Sequence, residues 1–419
     1  RAERAMAGAV ADGGEVWCSV SEDPGAALRE RGAGGGGTAG GGIAASGTVG
    51  DKLDHSEWGI PAAYGQAAGS SATKTNPFSL VSAELAAVAS RLRGSVASEA
   101  PPLATAASYF FREGAEGKRF RPTVLLLMAS ALNPLGAPAL RSEGALEVRR
   151  RQQRIAEITE MIHVASLLHD DVLDDAAERR SQPSVNQKMG NKLAILGGDF
   201  LLARASVALA QLRDPDVIAM LARVIEHLVT GEVMQMTASE DRRCSLEYYK
   251  RKTYYKTASL LANSSRAVAA LGGLGEAASQ NAYAYGKHVG LAFQFVDDHL
   301  DFTASSALLG KPAGNDLRQG IATAPVLFAA EEHKELLPLI RRKFAQPGDA
   351  ERALELVGRS EGLERTQQLA EDHAAVAVEA LKRLPLPEGE GVGSVVRTEA
   401  ALAREALVEI TRRVLERKR

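Results

Sequence analysis

From residue 76 onward, apolar side chains recur three or four positions apart, beginning with Leu80, Val81, Leu85, Val88 and Leu92. That spacing marks one face of a helix, not the alternation of a half-buried strand. Asn76-Pro77 stands just before it, with Asn suited to cap a helix and Pro to its first turn. An amphipathic helix starting there is predicted. Between Pro122 and Pro325 prolines are few and the same spacing dominates, so the expected class is all-α. Breaks are expected at Asn133 to Gly144, Gln182 to Ser184, Arg213 to Asp216, Gly272 to Gly275, Gly310 to Gly314 and Leu384 to Gly393. None has the composition of an interdomain linker and no repeat of solenoid period is present, which predicts one large helical domain over residues 76–419.

Residues 1–75 depart from this pattern. Of 40 glycines, 14 fall in the first 50 residues, and such a segment loses too much backbone entropy on ordering to fold unaided. It is expected to be a disordered Gly/Ala-rich lead. Its arginines and alanines suit a remnant of an organellar transit peptide, whereas Glu3, Asp12, Glu15, Glu22 and Asp23 do not, so targeting stays open on composition alone. Lys and Arg total 50 against 52 Asp and Glu, a formal net charge of −2, and no global attraction to nucleic acid or anionic lipid follows. Cys18 and Cys244 are far apart and lack ligand spacing, which argues against a disulfide framework or a zinc site and fits a reducing compartment. No run approaches the roughly 20 uninterrupted apolar residues of a membrane-spanning helix, so a soluble or at most peripheral protein is expected.

The chemistry lies in aspartates. Residues 168–175 read Leu-His-Asp-Asp-Val-Leu-Asp-Asp, placing Asp170, Asp171 and Asp174 at i, i+1 and i+4. At about 100° per residue they lie within roughly 100° of one another on a helix. Asp297, Asp298 and Asp301, in Phe-Val-Asp-Asp-His-Leu-Asp, repeat the spacing. Each cluster follows an apolar stretch, Met161 to Leu168 and Val289 to Val296. Like charges four residues apart repel, and a hard divalent cation compensates them; Mg2+ takes one or two carboxylates together with water and phosphate oxygens. One such cluster is commonly a solvated acidic face. Two identical copies inside apolar helices point instead to a metal clamp on one diphosphate, and the glycine and spacing of an EF-hand are absent.

Further strings accompany the clusters: Gly117-Lys-Arg-Phe-Arg-Pro122, Arg179-Arg180, Gly231-Glu-Val-Met-Gln235, Lys256-Thr257, Phe293-Gln-Phe-Val-Asp-Asp-His-Leu-Asp-Phe302 and Gly310-Lys-Pro. In this order they resemble the motifs of trans-polyprenyl diphosphate synthases, the class I isoprenyl diphosphate synthases, over about residues 76 to 419. The resemblance is strongest to the plant and algal long-chain, solanesyl-type branch. Ser181 stands where the family usually has Gly, and His299 replaces an aliphatic residue; neither is a metal-ligand position.

The resemblance implies a single large helical bundle of the isoprenoid synthase type with a central apolar cavity. It implies elongation of an allylic diphosphate (geranyl, farnesyl or geranylgeranyl) with isopentenyl diphosphate. The cofactor would be Mg2+, three ions per substrate-loaded site, held by Asp170, Asp171, Asp174, Asp297, Asp298 and Asp301, which with Lys256 form the catalytic set. Lys118, Arg121, His163 and Arg180 would bind isopentenyl diphosphate, and Arg179, Lys256, Thr257, Gln294 and Lys311 the allylic diphosphate. Arginine suits forked phosphate contacts and lysine acts as a point charge. Ser166, His163, Ile162 and Thr159 stand 4, 7, 8 and 11 positions before Asp170 on its helix face, with Ala165 beside them. Short-chain relatives carry a bulky aromatic near Ala165 or Ser166, so small residues there imply an open tunnel and a long product, with Ile162 in the same chain-length set. A homodimer is also implied, in a mitochondrion or alternatively a plastid, with a product for a quinone side chain handed to a membrane. Two other readings stand beside this one. A terpene cyclase shares the first cluster but usually has an Asn/Ser/Glu second site. A non-catalytic subunit typically loses aspartates or carries paired cysteines.

Overall fold

The computed structural model describes residues 76–97, 99–111, 119–135, 142–179, 182–303, 314–385 and 394–417. The expected lead over 1–75, together with Lys118, Arg180, Ser181 and Lys311, lies outside them. Among the described residues the regular secondary structure is helical except for one two-residue antiparallel ladder, β1 (Glu178–Arg179) against β2 (Gln182–Pro183). Asn76 accepts the Phe78 N–H at 3.4 Å and Pro77 opens a short helix, Pro77–Leu80. Val81 interrupts it, and α1 then runs Ser82–Ser95 with Leu85, Val88 and Leu92 buried. The predicted start therefore holds, with a break that the apolar spacing did not reveal.

The principal helices that follow are α2 (Phe120–Leu132), α3 (Glu143–Leu173), α4 (Asn191–Gln211), α5 (Pro215–Thr237) and α6 (Leu246–Thr253). After them come α7 (Ser259–Leu271), α8 (Gly275–Thr303), α9 (Ala324–Glu332), α10 (Gly362–Lys382) and α11 (Ser394–Leu415). Their ends have local causes. Ser142 caps α3 by accepting the Ala145 N–H, and Asp214 caps α5 by accepting the Val217 N–H at 3.1 Å, with Pro215 in its first turn. Gly273 and Gly275 turn the chain between α7 and α8 at φ 70° and 78°, a region glycine enters without Cβ strain.

Helix α2 is buried on every side from Pro122 to Leu132, as expected of a helix apolar all round. Against it pack α3, α7 and α11; α7 in turn lies along α8, and α8 along α10. A second apolar cluster, including Tyr249, Phe295, Leu317 and the face of α9, sits beneath the aspartate end of α8. Fully buried Arg149 of α3 ties four helices together: it donates to Ser130 at 3.1 Å and the Asn133 carbonyl at 3.1 Å, and pairs with Glu84 and Glu399 at 3.9 and 3.7 Å. Removing one member of such a set strands buried charge, which costs roughly 3–5 kcal/mol.

Helix α4 is long and apolar enough, by length and composition, to cross a membrane, with mean hydropathy 1.7. It carries Asp199 and Arg204, packs along α3, and buries Ala194, Leu201 and Ala205, which makes it a bundle helix. Ile195, Leu196 and Val207 on α4, with Val229, Val233 and Met236 on the neighbouring α5, remain exposed.

Candidate active site

Between α6 and α7 the backbone changes its hydrogen-bonding pattern. Tyr254–Ala258 form a π-turn, in which the Ser259 N–H reaches back five residues to the Tyr254 carbonyl. Such turns inside helices frequently mark functional sites. Glycines on both flanks let neighbouring helices approach it closely. A Cβ on Gly231 of α5 would lie 2.9 Å from the Lys256 nitrogen, and one on Gly290 of α8 would lie 2.9 Å from the Ala258 Cα. Lys256 and Thr257 are thus presented from a segment wedged between two helices.

The first cluster is at the end of α3. Asp170 and Asp171 are in its last turn, whereas Asp174 is the residue just beyond the helix, with φ −91° and ψ 2°. Asp170 is half-buried and faces Lys256; burial pushes its carboxyl up to about 6, Lys256 opposes that shift, and Glu232 and Asp174 add to it. Lys256 is ion-paired with Glu232 of α5. Burial pulls the Lys256 ammonium down, but Asp170 and Glu232 more than offset it and hold it above its usual range. Asp171 turns elsewhere: it is fully buried, and Arg179 Nε donates to its Oδ1 at 2.5 Å. Arg179, expected at the allylic diphosphate, is therefore engaged with the aspartate beside it. His163 and Arg121 are half-buried, Ile162 and Ala165 are fully buried, and Ser166 donates its hydroxyl to the His163 carbonyl at 2.8 Å. One turn further from the cluster, Thr159 donates to Ser264 of α7 at 2.7 Å.

The second cluster lies wholly within α8. Asp298 is buried; it accepts the Tyr249 hydroxyl, and Gln294 Nε2 donates to its Oδ1 at 2.8 Å. Thr257 donates to Gln294 Oε1 at 3.1 Å. Thr257 and Gln294, expected to touch substrate, form a relay from the π-turn to Asp298. Burial raises the Asp298 carboxyl to about 6, although the Tyr249 and Gln294 hydrogen bonds pull it down. Asp301 accepts the N–H groups of Asn315 and Asp316 at 3.2 and 3.1 Å, so it caps the short helix Asn315–Arg318. Asp297 pairs with Arg417 at 2.8 Å, whose guanidinium also lies 4.0 Å from the Phe293 ring centroid. His299 is half-buried, and Thr303 is bonded to its carbonyl at 3.1 Å.

Several participants escaped the sequence reading. Asp316 joins the second cluster; burial, then Asp298 and Asp301, raise its carboxyl to about 8. Tyr249, Lys252 and Lys256 fall at i, i+3 and i+7, a one-sided stripe that was legible but whose target was not. Lys252 donates to Gln235 at 3.4 Å and, with Asp174, Glu232, Gln235 and Tyr249, lines a cavity of about 400 Å³. Burial is the first cause of these raised carboxyl pKa values, and a hard divalent ion bound beside them would favour their charged forms. Among the described residues no three His, Cys, Asp or Glu converge into a self-contained cation cage.

Fold and site define an all-α synthase of the type that carries two aspartate clusters around a lysine-bearing turn. The family model described as Polyprenyl synthetase matches residues 100–357, and the chain belongs to that family. It is 53% identical over 348 residues to the mitochondrial solanesyl-diphosphate synthase 1 of Oryza sativa, covering 82% of this chain and 79% of that one. It is 50% identical to the chloroplastic/mitochondrial solanesyl diphosphate synthase 3 of Arabidopsis thaliana, covering 82% and 80%. Among solved structures it matches the apo form of an Arabidopsis medium/long-chain prenyl pyrophosphate synthase, with TM-score 0.66, 44% identity and coverage of 82% and 100%. It also matches a polyprenyl synthase of Caulobacter crescentus complexed with calcium and isoprenyl diphosphate, with TM-score 0.69, 31% identity and coverage of 84% and 100%.

Proposed function

We infer that the protein is a trans-prenyltransferase that condenses isopentenyl diphosphate with an allylic diphosphate to make a long all-trans polyprenyl diphosphate for a quinone side chain. The observation that carries this reading is the pair of aspartate clusters, on α3 and α8, flanking the π-turn that bears Lys256 and Thr257. The catalytic domain spans residues 76–419, with 1–75 acting as a targeting segment. The names of the rice and Arabidopsis relatives support a mitochondrial, or alternatively plastid, location.

Mg2+ would be held by Asp170 and Asp174 on one side and Asp297 and Asp298 on the other, three ions in the loaded site; when bound it neutralises charge building on the departing diphosphate. The chain's own cations act on the same charge. Lys256, oriented by Glu232, stabilises the diphosphate as the allylic C–O bond breaks. Arg121 and His163, with Lys118 and Arg180, hold isopentenyl diphosphate so that its double bond attacks the allylic carbon; Lys311 contributes a further charge to the allylic site. Loss of a proton to the released diphosphate restores an allylic product. No side-chain nucleophile is required. The tunnel for the growing chain runs along Ser166, Ala165 and Ile162, and the small side chains of Ser166 and Ala165 support a long product. The exposed apolar residues of α4 and α5 support a homodimer through that face, and an apolar product leaves toward a membrane.

Incubation with farnesyl diphosphate, labelled isopentenyl diphosphate and Mg2+, read by mass spectrometry, tests the reading. Elongated diphosphates are expected. Cyclised hydrocarbon would make the protein a terpene cyclase, and absence of turnover a non-catalytic subunit.

A further inference from the structure

The two lysines at the site have unequal partners. Lys256 forms an ion pair with Glu232. Lys252, one turn earlier, has no ion pair among the described residues; its ammonium reaches Gln235 Oε1 at 3.4 Å and lies 5.5 Å from the Tyr249 ring centroid. Tyr249 in turn donates to Asp298, so the lysine stands beside the second cluster. The carboxylates acting on Lys252 are, in order, Asp298, Asp316 and Glu232, whereas those acting on Lys256 are Asp170, Glu232 and Asp174. Through Tyr249, whose ring lies under its ammonium, Lys252 is tied to Asp298 of the second cluster. Withdrawing an ammonium from water is unfavourable unless nearby carboxylates offset the cost, and removing it leaves those carboxylates without a compensating charge.

We propose that Lys252 is a positioning residue, the built-in counter-ion of the second aspartate cluster, which holds Asp298 and Asp316 in place in the metal-free enzyme and competes with divalent cations for them until diphosphate arrives. The inference rests on the second cluster being a metal site, as in the function proposed above. Two positive charges near the same carboxylates repel, so a divalent ion alone binds this cluster weakly. A bound diphosphate brings negative charge that both cations share, and the competition ends. Metal without diphosphate should therefore load the first cluster before the second.

The test measures Mn2+ binding to the full-length protein by electron paramagnetic resonance, without substrate and then with inorganic diphosphate. Lys252→Met keeps the aliphatic stem and removes the charge. It should bind an additional Mn2+ in the absence of diphosphate, at an affinity raised by about tenfold or more, within the range that groups surrounding metal ligands typically control. With diphosphate present the difference from wild type should shrink. Lys252→Arg should behave as wild type, and Lys382→Met, which removes an exposed charge far from the site, should change nothing. Melting curves add a second readout. Metal-free Lys252→Met should be destabilised and regain wild-type stability on adding Mn2+, whereas loss of a merely structural contact would not be rescued by metal. Unchanged Mn2+ stoichiometry and affinity in Lys252→Met, or destabilisation that Mn2+ does not repair, overturns the counter-ion role. Failure of wild type to bind Mn2+ even with diphosphate would instead overturn the metal assignment on which the role depends.

Discussion

Replacing Gly231 with alanine adds one methyl group where two backbones meet. Its Cβ would stand 2.9 Å from the Lys256 nitrogen and 3.2 Å from the Lys256 Cα, while ordinary contact begins at 3.4 Å. The shortfall is about half an ångström, and the obstructing atoms are backbone, so no rotamer change relieves it. Helix α5 must move off the π-turn, and Glu232, the next residue, moves with it away from Lys256. Overpacking of this kind costs about 1–3 kcal/mol, from which alanine's better helix propensity recovers roughly 1 kcal/mol. A net loss of about 0–2 kcal/mol lowers Tm by only a few degrees in a domain this large. Catalysis is the more sensitive readout. A misplacement of about 1 Å costs about a hundredfold, so half of that should lower kcat by roughly tenfold. Steady-state turnover with farnesyl and isopentenyl diphosphates, paired with a melting curve, separates the two effects. Turnover within twofold of wild type would refute the idea that the close approach of α5 positions Lys256.

Asp170→Ala and Asp297→Ala should each reduce turnover by orders of magnitude at saturating Mg2+; near-normal rates in both would remove the metal role from the two clusters. Ala165→Phe introduces an aromatic ring at a fully buried position of α3 and should shorten the prenyl product, and an unchanged chain-length distribution by mass spectrometry would count against the proposed tunnel. The carboxyls of Asp170 and Asp298 are raised to about 6, and that of Asp316 to about 8. A raised carboxyl pKa favours the protonated fold, so this contribution is full below the unfolded carboxylate pKa of about 4 and is lost as pH rises through the folded values. Metal-free Tm should fall across that window while the stabilisation by Mg2+ with diphosphate grows, and a Mg2+ effect independent of pH between 5 and 9, read by calorimetry over roughly that span, would contradict ion binding to the charged carboxyls.

The helical class, the start at Pro77, most chain breaks and both aspartate clusters were readable without coordinates, because each is a local property. Periodicity reports which face of a helix is apolar, and a cap or glycine acts within a few residues. The division of labour inside the clusters was not readable. Spacing alone treats Asp170, Asp171 and Asp174 as equals, yet Asp171 is committed to Arg179 and Asp174 stands just past the helix end. It likewise treats Thr257 and Gln294 as substrate contacts, whereas their hydrogen bonds run to one another and on to Asp298.

What the sequence by itself determined is the set of chemical groups and their order on helices, since side-chain identity and helical phase need no partner. Only the tertiary structure decided which group meets which. Tyr249 reaches Asp298 across 49 positions of chain and Arg417 reaches Asp297 across many more, through packing of helices whose relative placement no local pattern encodes. The ion pair between Lys256 and Glu232 belongs to that second kind, because Coulomb energy depends on distance in space and is blind to distance along the chain.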